Sequence, residues 1–412
     1  MKSKVVGVFE ITSTAVKFVV GYLLDNEVII LNTTKAPLEY GSIVDGEIRD
    51  YQGVSKAITT ALKDGSAKLN RPIAEYAAII PPIGFEVFDH SQETSVVSNE
   101  DKIERLDVDN VLNQVSKAKT TEGSMIIGII PELFVLDKGQ SFPEPPLGQH
   151  SNSLMVKAKL HVCPTHYVAS YKKAFTHAKV SYKKLYVAPY SALEVIKEYQ
   201  NVPQDFLLID IGARLTSVSL IGQHKLIAST FIYQGVDHIS DKLSSNFGLD
   251  FSVAQQLKEI FGFDDHNVSF KAPLFTVTTQ DKKKRYTVDD FKDAIGNYVN
   301  DYVKEIANSI KEIATTYDPQ IVNLPLVLVG GGTKFYGLPE TIKGFLNASD
   351  VRIYVPRALG ARDPQFTNCV GGIKLLGSIL PLVEEDNTVN NEQETQKTRK
   401  IKIRRDSFDD EL

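Results

Sequence analysis

The run DFLLIDIGARLT closes an apolar, strand-like segment on an acid and turns at once through small residues, so that Asp210, Gly212 and Thr216 stand together at its end. Backbone N–H groups and hydroxyls of such a turn are able to surround a phosphate, and an acid at a strand end is able to face a hydrated metal ion. A second apolar run, LPLVLV, leads into Gly330-Gly331-Gly332-Thr333. Glycines at that point let a planar base or a ribose approach the backbone closely. Either pattern alone is also what an ordinary strand end or strand-to-helix turn looks like; the value of each comes from the other, set after it along the chain with a helical lobe between. No other chemistry competes. His161, His166 and His177 form no constellation, no nucleophile stands beside a base, and Cys163 and Cys369 match no metal or redox spacing.

The elements that must position these residues repeat. KVVGVFEITSTAVKFVVGYLLDNEVIILNT reads as three strands broken at Thr12 to Ala15 and at Asp25-Asn26, and DFLLIDIGARLTSVSLIGQHKLIASTFI repeats the layout, with a turn at Gly222-Gln223. Long-period self-similarity implies two related lobes facing a cleft. Helix-like stretches such as VSKAITTALKDG and PYSALEVIKEY alternate with the strand IAEYAAIIPPI, as when helices cover a sheet. From Phe85 to Val162 that alternation breaks into a helix near Val108 to Ala118 and the strands SMIIGII, LFVLD and SLMVKAKLHV, which reads as an inserted α+β subdomain. Asp250 to Asp318 carries the helix VAQQLKEIF, short strands around FTVTT, a charged DKKKR turn and a long helix from Val288 to Ala314, with Thr287 and Asp290 at its cap.

A chain of 412 residues exceeds the roughly 250–300 that one core supports, so two or more lobes follow. With 42% hydrophobic and 24% charged residues the composition is that of a globular protein. The formal charge of −5 lacks the basic face that nucleic-acid binding needs. No secretory signal or membrane-spanning run is evident, and a soluble, cytoplasmic protein is expected. The segment after Val383 is too polar to order itself and reads as a flexible tail.

Several segments in order resemble the bacterial cell-division family FtsA, of the actin-like ATPase superfamily. SIVDGEIRD resembles the segment after that family's first meander, Pro189-Tyr190-Ser191-Ala192 its crossing helix, and Gln234-Gly235-Val236-Asp237 the turn after its second meander. Ala254-Gln255-Gln256-Leu257-Lys258 resembles the A-E-x-L-K helix, VGGGTKFYGLPE the adenosine loop, and Val370-Gly371-Gly372 the second crossing helix. The resemblance covers nearly all of residues 1 to 380. It implies an α/β, actin-like (duplicated ribonuclease-H-like) two-lobe fold with an FtsA-type inserted α+β subdomain. The first lobe would take residues 1–84 and 163–200 and be closed by a helix in 357–382; the insertion would take 85–162. The second lobe would take 201–249 and 319–356, with its upper subdomain over 250–318 and the tail over 383–412.

By the same resemblance, ATP with Mg2+ would contact Glu10, Thr12, Ser13, Thr14, Asp210, Gly212, Arg214, Thr216, Gln255, Lys258, Gly330, Gly331, Gly332 and Thr333. The pattern departs from the family at three points. Glu10-Ile11-Thr12 replaces D-x-G, Ala213-Arg214-Leu215 replaces a run rich in glycine and threonine, and Gln255 stands in place of a ribose-binding glutamate. Arg214 could bind phosphate or fill the metal's place, and weak binding with very slow turnover is expected. The implied role is a division scaffold that binds an FtsZ-like tubulin homologue, self-associates, and uses Lys282, Lys283, Lys284 and Arg285 as a docking surface. An actin-fold ATPase or phosphotransferase and a pilus-type peptide-binding adaptor are the alternatives. The tail KTRKIKIRRDSFDDEL lacks the family's amphipathic anchor, because acids and a misplaced Ile403 break its apolar face; weak, salt-sensitive membrane contact or none is expected.

Overall fold

The computed structural model describes residues 4–98, 100–262, 273–279 and 282–379. The tail over 383–412 lies outside the described residues, as do Asp281 and the side chain of Lys282.

Two five-stranded sheets share one topology. In the first, the meander Val6–Ile11, Ala15–Leu24 and Glu27–Pro37 is antiparallel, and Glu75–Ile80 and then Lys184–Val187 add in parallel beside its first strand. In the second, Phe206–Ile211, Thr216–Gly222 and Lys225–Ile232 repeat the meander, and Leu326–Val329 and Val351–Ile353 add in parallel. The second turn of each meander is closed by two residues with positive φ, Asp25 and Asn26 in one and Gln223 and His224 in the other. Such two-residue turns match the right-handed twist of the strands they join.

Strand parity aims the acids. In Val6–Ile11, Phe9 and Ile11 pack toward the helices Tyr51–Ser66 and Thr165–His177. Val6 and Val8 pack on the other face, toward Ala188–Ile196 and Thr367–Ile379. Glu10 shares the second face, because side chains alternate along a strand. In Phe206–Ile211, Leu207, Ile209 and Ile211 enter the core of the second lobe, while Phe206 and Leu208 join the core that continues into the first. Asp210 falls on that latter face, so the two acids meet between the lobes. The helices Ala188–Ile196 and Thr367–Ile379 cross so closely that a Cβ at Gly371 would collide with the Ser191 carbonyl.

The inserted subdomain has its own core. Val108, Val111 and Val115 line one face of the helix Arg105–Val115 and pack on Phe134, Leu154, Val156 and Leu160 of a four-stranded sheet. SMIIGII and LFVLD, read above as separate strands, form one strand, Ser124–Leu136. The register against Ser153–Pro164 shifts between Pro131 and Leu133, so an irregularity at Pro131, which has no N–H to donate, replaces the expected break.

DKKKR was expected as a turn, yet Lys282–Thr287 is a strand paired with Pro273–Thr279. Tyr286 packs against Phe247 and Phe275, and that inward anchor sets the alternation of its neighbours. The helix Val288–Thr316 follows. Phe291, Ile295, Val299, Tyr302, Ile306, Ile310 and Ile313 recur on one buried face, and Thr287 and Asp290 bond reciprocally at its start.

Candidate functional site

The lobes enclose a cavity of about 800 Å³. Glu10, Thr12, Ser13, Thr14, Asp210, Gly212, Arg214, Gln255, Lys258, Gly330, Gly331 and Gly332 line it. Thr216 and Thr333 do not. Thr216 is fully buried and its hydroxyl donates to the Gln234 carbonyl at 2.8 Å and meets the Tyr302 hydroxyl at 2.5 Å, so it braces the second lobe from inside. Thr333 donates to the Gly330 carbonyl at 2.7 Å and closes the glycine turn.

The three glycines divide their work. Gly330 has φ +89°, and a Cβ there would collide with Asp210 Oδ1 and the Ile211 carbonyl; a Cβ at Gly332 would collide with Ile211 Cγ2. Both are consumed by packing against the strand Phe206–Ile211. Only at Gly331 does a Cβ meet no more than ordinary contact, with Gln365 Cβ at 3.5 Å. This is the one position of the three where a side chain would fill cleft space and nothing else.

At the floor, Lys17 Nζ lies 3.0 Å from Glu10 Oε2 and donates to the Gln365 carbonyl at 2.7 Å. Burial works against this ammonium, but Glu10 above all, with Asp210 also contributing, outweighs it and holds the pKa of Lys17 above its ordinary value. The Asn368 amide donates from Nδ2 to Glu10 Oε1 at 2.8 Å and to Asp210 Oδ2 at 2.9 Å. Cys369 Sγ donates to Glu10 Oε2 at 3.6 Å. Burial, and after it the charge of Glu10, raises the pKa of Asp210, while the Asn368 bond and Lys17 pull it back. Asn368 Oδ1 is buried with no partner. An unpaired buried acceptor costs about 1–3 kcal/mol, so the amide is held in this orientation by the two acids it serves.

Arg214 lines the cavity with its guanidinium already engaged by protein groups. Its guanidinium pairs with Asp241 at 2.8 Å and lies 4.4 Å from the centre of the Tyr40 ring and 5.5 Å from that of Phe251. Tyr40 belongs to the first lobe and Asp241 to the second, so the side chain bridges the mouth of the cleft. Gln255 Nε2 donates to Glu259 Oε1 at 3.2 Å. Lys258 is buried, donates to the Val236 carbonyl at 2.7 Å and lies over the Phe335 ring; desolvation lowers its pKa against the pull of Asp237.

Sequence reasoning missed Lys17, Lys35, Asp237 and Asn368, all of which line the cavity. For Lys17 a signal exists: it is the one charge in the otherwise apolar run AVKFVV. Among the described residues, no group of three or more His, Cys, Asp or Glu could hold a metal ion.

Two regions of the chain match family models in the expected order. The SHS2 domain inserted in FtsA matches residues 86–163, and the cell division protein FtsA matches residues 207–371. The chain belongs to the FtsA family. Family relatives span most of its length. The FtsA of Staphylococcus epidermidis is 24% identical over 367 residues, covering 88% of this chain and 77% of that protein. The FtsA of Streptococcus pneumoniae is 22% identical over 372 residues, covering 90% and 79%. Among solved structures, the PilM–PilN type IV pilus biogenesis complex is similar with a TM-score of 0.59 at 16% identity, covering 90% of this chain and 98% of that one. MreB 5 of Spiroplasma citri bound to AMPPNP is similar with a TM-score of 0.51 at 11% identity, covering 93% and 99%. These likenesses show the actin-like fold. Among the described residues, no helix is long and apolar enough to cross a membrane.

Proposed function

We propose that this FtsA-family chain is a cell-division scaffold that holds a nucleotide in the interlobe cleft and docks the tail of an FtsZ-type tubulin homologue on its upper subdomain, at the cytoplasmic face of the division site. The observation that carries the reading is the inserted subdomain with a core of its own, set in an actin-like body and matched as the FtsA insertion. The nucleotide is a structural ligand that draws the lobes together and favours self-association. The adenosine would rest on Gly331 between Gln255 and Lys258, and its phosphates would face Thr12, Ser13 and Thr14. Turnover is slow at most, because both acids at the cleft floor are tied by Asn368.

The docking surface is narrower than the basic run suggests. Lys283, Lys284 and Arg285 are all exposed, but Lys284 lies over the Tyr286 ring at 4.6 Å on the face the tyrosine occupies, and alternation puts Lys283 and Arg285 together on the other face. An acidic peptide would be steered by that pair. Pull-down of the full chain with an FtsZ C-terminal tail should retain the tail, and the double charge reversal Lys283→Glu/Arg285→Glu should slow association and weaken its salt dependence. No retention of the tail by the unaltered chain would refute the scaffold reading. Unchanged binding by the variant at every salt concentration would refute the surface.

A further inference from the structure

Resting on the nucleotide reading above, we propose that the polyphosphate in this cleft is neutralised by the ammonium groups of Lys17 and Lys35 rather than by a divalent cation, so that the site takes metal-free nucleoside triphosphate. The two acids that close the central strands, Glu10 and Asp210, are where a hydrated cation would be held. Three of their four oxygens already accept protein donors: Glu10 Oε1 from Asn368, Glu10 Oε2 from Lys17 and Cys369, and Asp210 Oδ2 from Asn368. The fourth, Asp210 Oδ1, packs against Gly330. Mg2+ requires near-octahedral oxygen ligands and keeps several waters, whereas the space between these acids is filled by an amide N–H pair and flanked by an ammonium. The positive charge that a cation would bring is already built in.

The same wall supplies the donors for phosphate. Lys17 and Lys35 are direct cross-strand partners on the antiparallel strands Ala15–Leu24 and Glu27–Pro37, and both line the cavity. Like charges directly opposite each other are unfavourable unless an anion lies between or above them. Glu10 answers Lys17 on one side only: of three ammonium protons, one goes to Glu10 and one to the Gln365 carbonyl, which leaves one for the cleft. Lys35 has no hydrogen-bond or ion-pair partner among the described residues. It is exposed at the cleft wall, yet partial desolvation and the neighbouring charges of Lys17 and Lys334 lower its pKa, as expected for a cation short of counter-charge. Lys334, on the opposite lobe, is already paired with Asp363 at 2.9 Å and adds positive potential at the rim. Asp237 also lines the cavity and opposes an anion, but its attraction is shared with Lys258 and Arg214.

Calorimetric titration of the full chain with ATP, once in EDTA and once in excess Mg2+, separates the possibilities. The expected result is binding in EDTA at least as tight as in Mg2+, because the free triphosphate carries more charge for the lysines to meet. Lys35→Met, which removes an exposed side chain with no partner among the described residues, should weaken ATP about tenfold or more and AMP much less, as expected for a lost charge-assisted phosphate contact. Binding that vanishes in EDTA and returns with Mg2+ would overturn the proposal while leaving the nucleotide site intact. Unchanged ATP affinity in Lys35→Met would overturn the lysine assignment. Absence of binding to the unaltered chain in both conditions would end the nucleotide reading itself, and the proposal with it.

Discussion

Lys17→Met removes one partner of the ion pair at the cleft floor, and its cost can be worked from the surroundings of the other. The pair is 3.0 Å apart, with the side chains of Lys17 and Glu10 only 11% and 8% exposed. Breaking a buried pair leaves an uncompensated charge and costs about 3–5 kcal/mol. Glu10 keeps the Asn368 amide at 2.8 Å and the Cys369 thiol, which places the expected loss at the lower end, about 3 kcal/mol. In Lys17→Met/Glu10→Gln the charge is gone from both sides, and an amide at position 10 still offers an oxygen to Asn368. The double variant should therefore recover most of the loss, with a coupling of about 2 kcal/mol in the cycle. The chain has no tryptophan, so urea unfolding is best followed by far-ultraviolet circular dichroism, with the denaturant slope checked for constancy across all four proteins. A single variant that loses less than about 1 kcal/mol, or a double variant as unstable as the single, would refute the account of this pair as a buried, mutually required charge couple.

Two further outcomes follow from the same geometry. His161 is buried edge-on between Phe85 and Tyr190, and burial, with Lys159 adding repulsion, lowers its pKa to about 4. Unfolded histidine titrates near 6.5, so stability from the neutral ring is complete above that pH and is lost as the pH falls toward about 4, by about 3 kcal/mol in all. His161→Leu should flatten that acid limb in a pH series of denaturation curves; an unchanged limb would sink the assignment. Gly331→Val should abolish nucleotide binding while leaving the melting transition nearly unmoved, whereas Gly330→Ala, at positive φ and against Asp210, should lower the transition; calorimetry and thermal melts of both variants check the contrast.

Much of the architecture is legible because it depends on local periodicity. Strand alternation, the paired meanders, the capping residues Thr287 and Asp290 and the helical face running from Phe291 to Ile313 are properties of neighbouring residues, and the sequence displays them. Strand-end acids and a glycine turn are equally local, so Glu10, Asp210 and Gly330 to Gly332 stand out before any contact is known. What each of those residues does was decided by partners far away in the chain. Thr216 looks like a phosphate hydroxyl until Tyr302, on a helix distant in sequence, takes its oxygen. Arg214 looks like a free cation until Asp241 and the Tyr40 ring claim it. Asn368 carries no motif at all, yet the closing helix lays its amide between two carboxylates from different sheets. Lys283, Lys284 and Arg285 look like one patch until Tyr286 fixes the strand and alternation sets Lys284 on the face opposite Lys283 and Arg285. The sequence displays most elements and the residue types at their ends, because those follow from backbone periodicity and side-chain size, while the single strand Ser124–Leu136 and the strand Lys282–Thr287 emerged only from pairing. Which charges are neutralised, which donors are spent and which space stays open follow only from the meeting of distant segments, since hydrogen-bond and Coulomb partners are set by distances that tertiary packing alone determines.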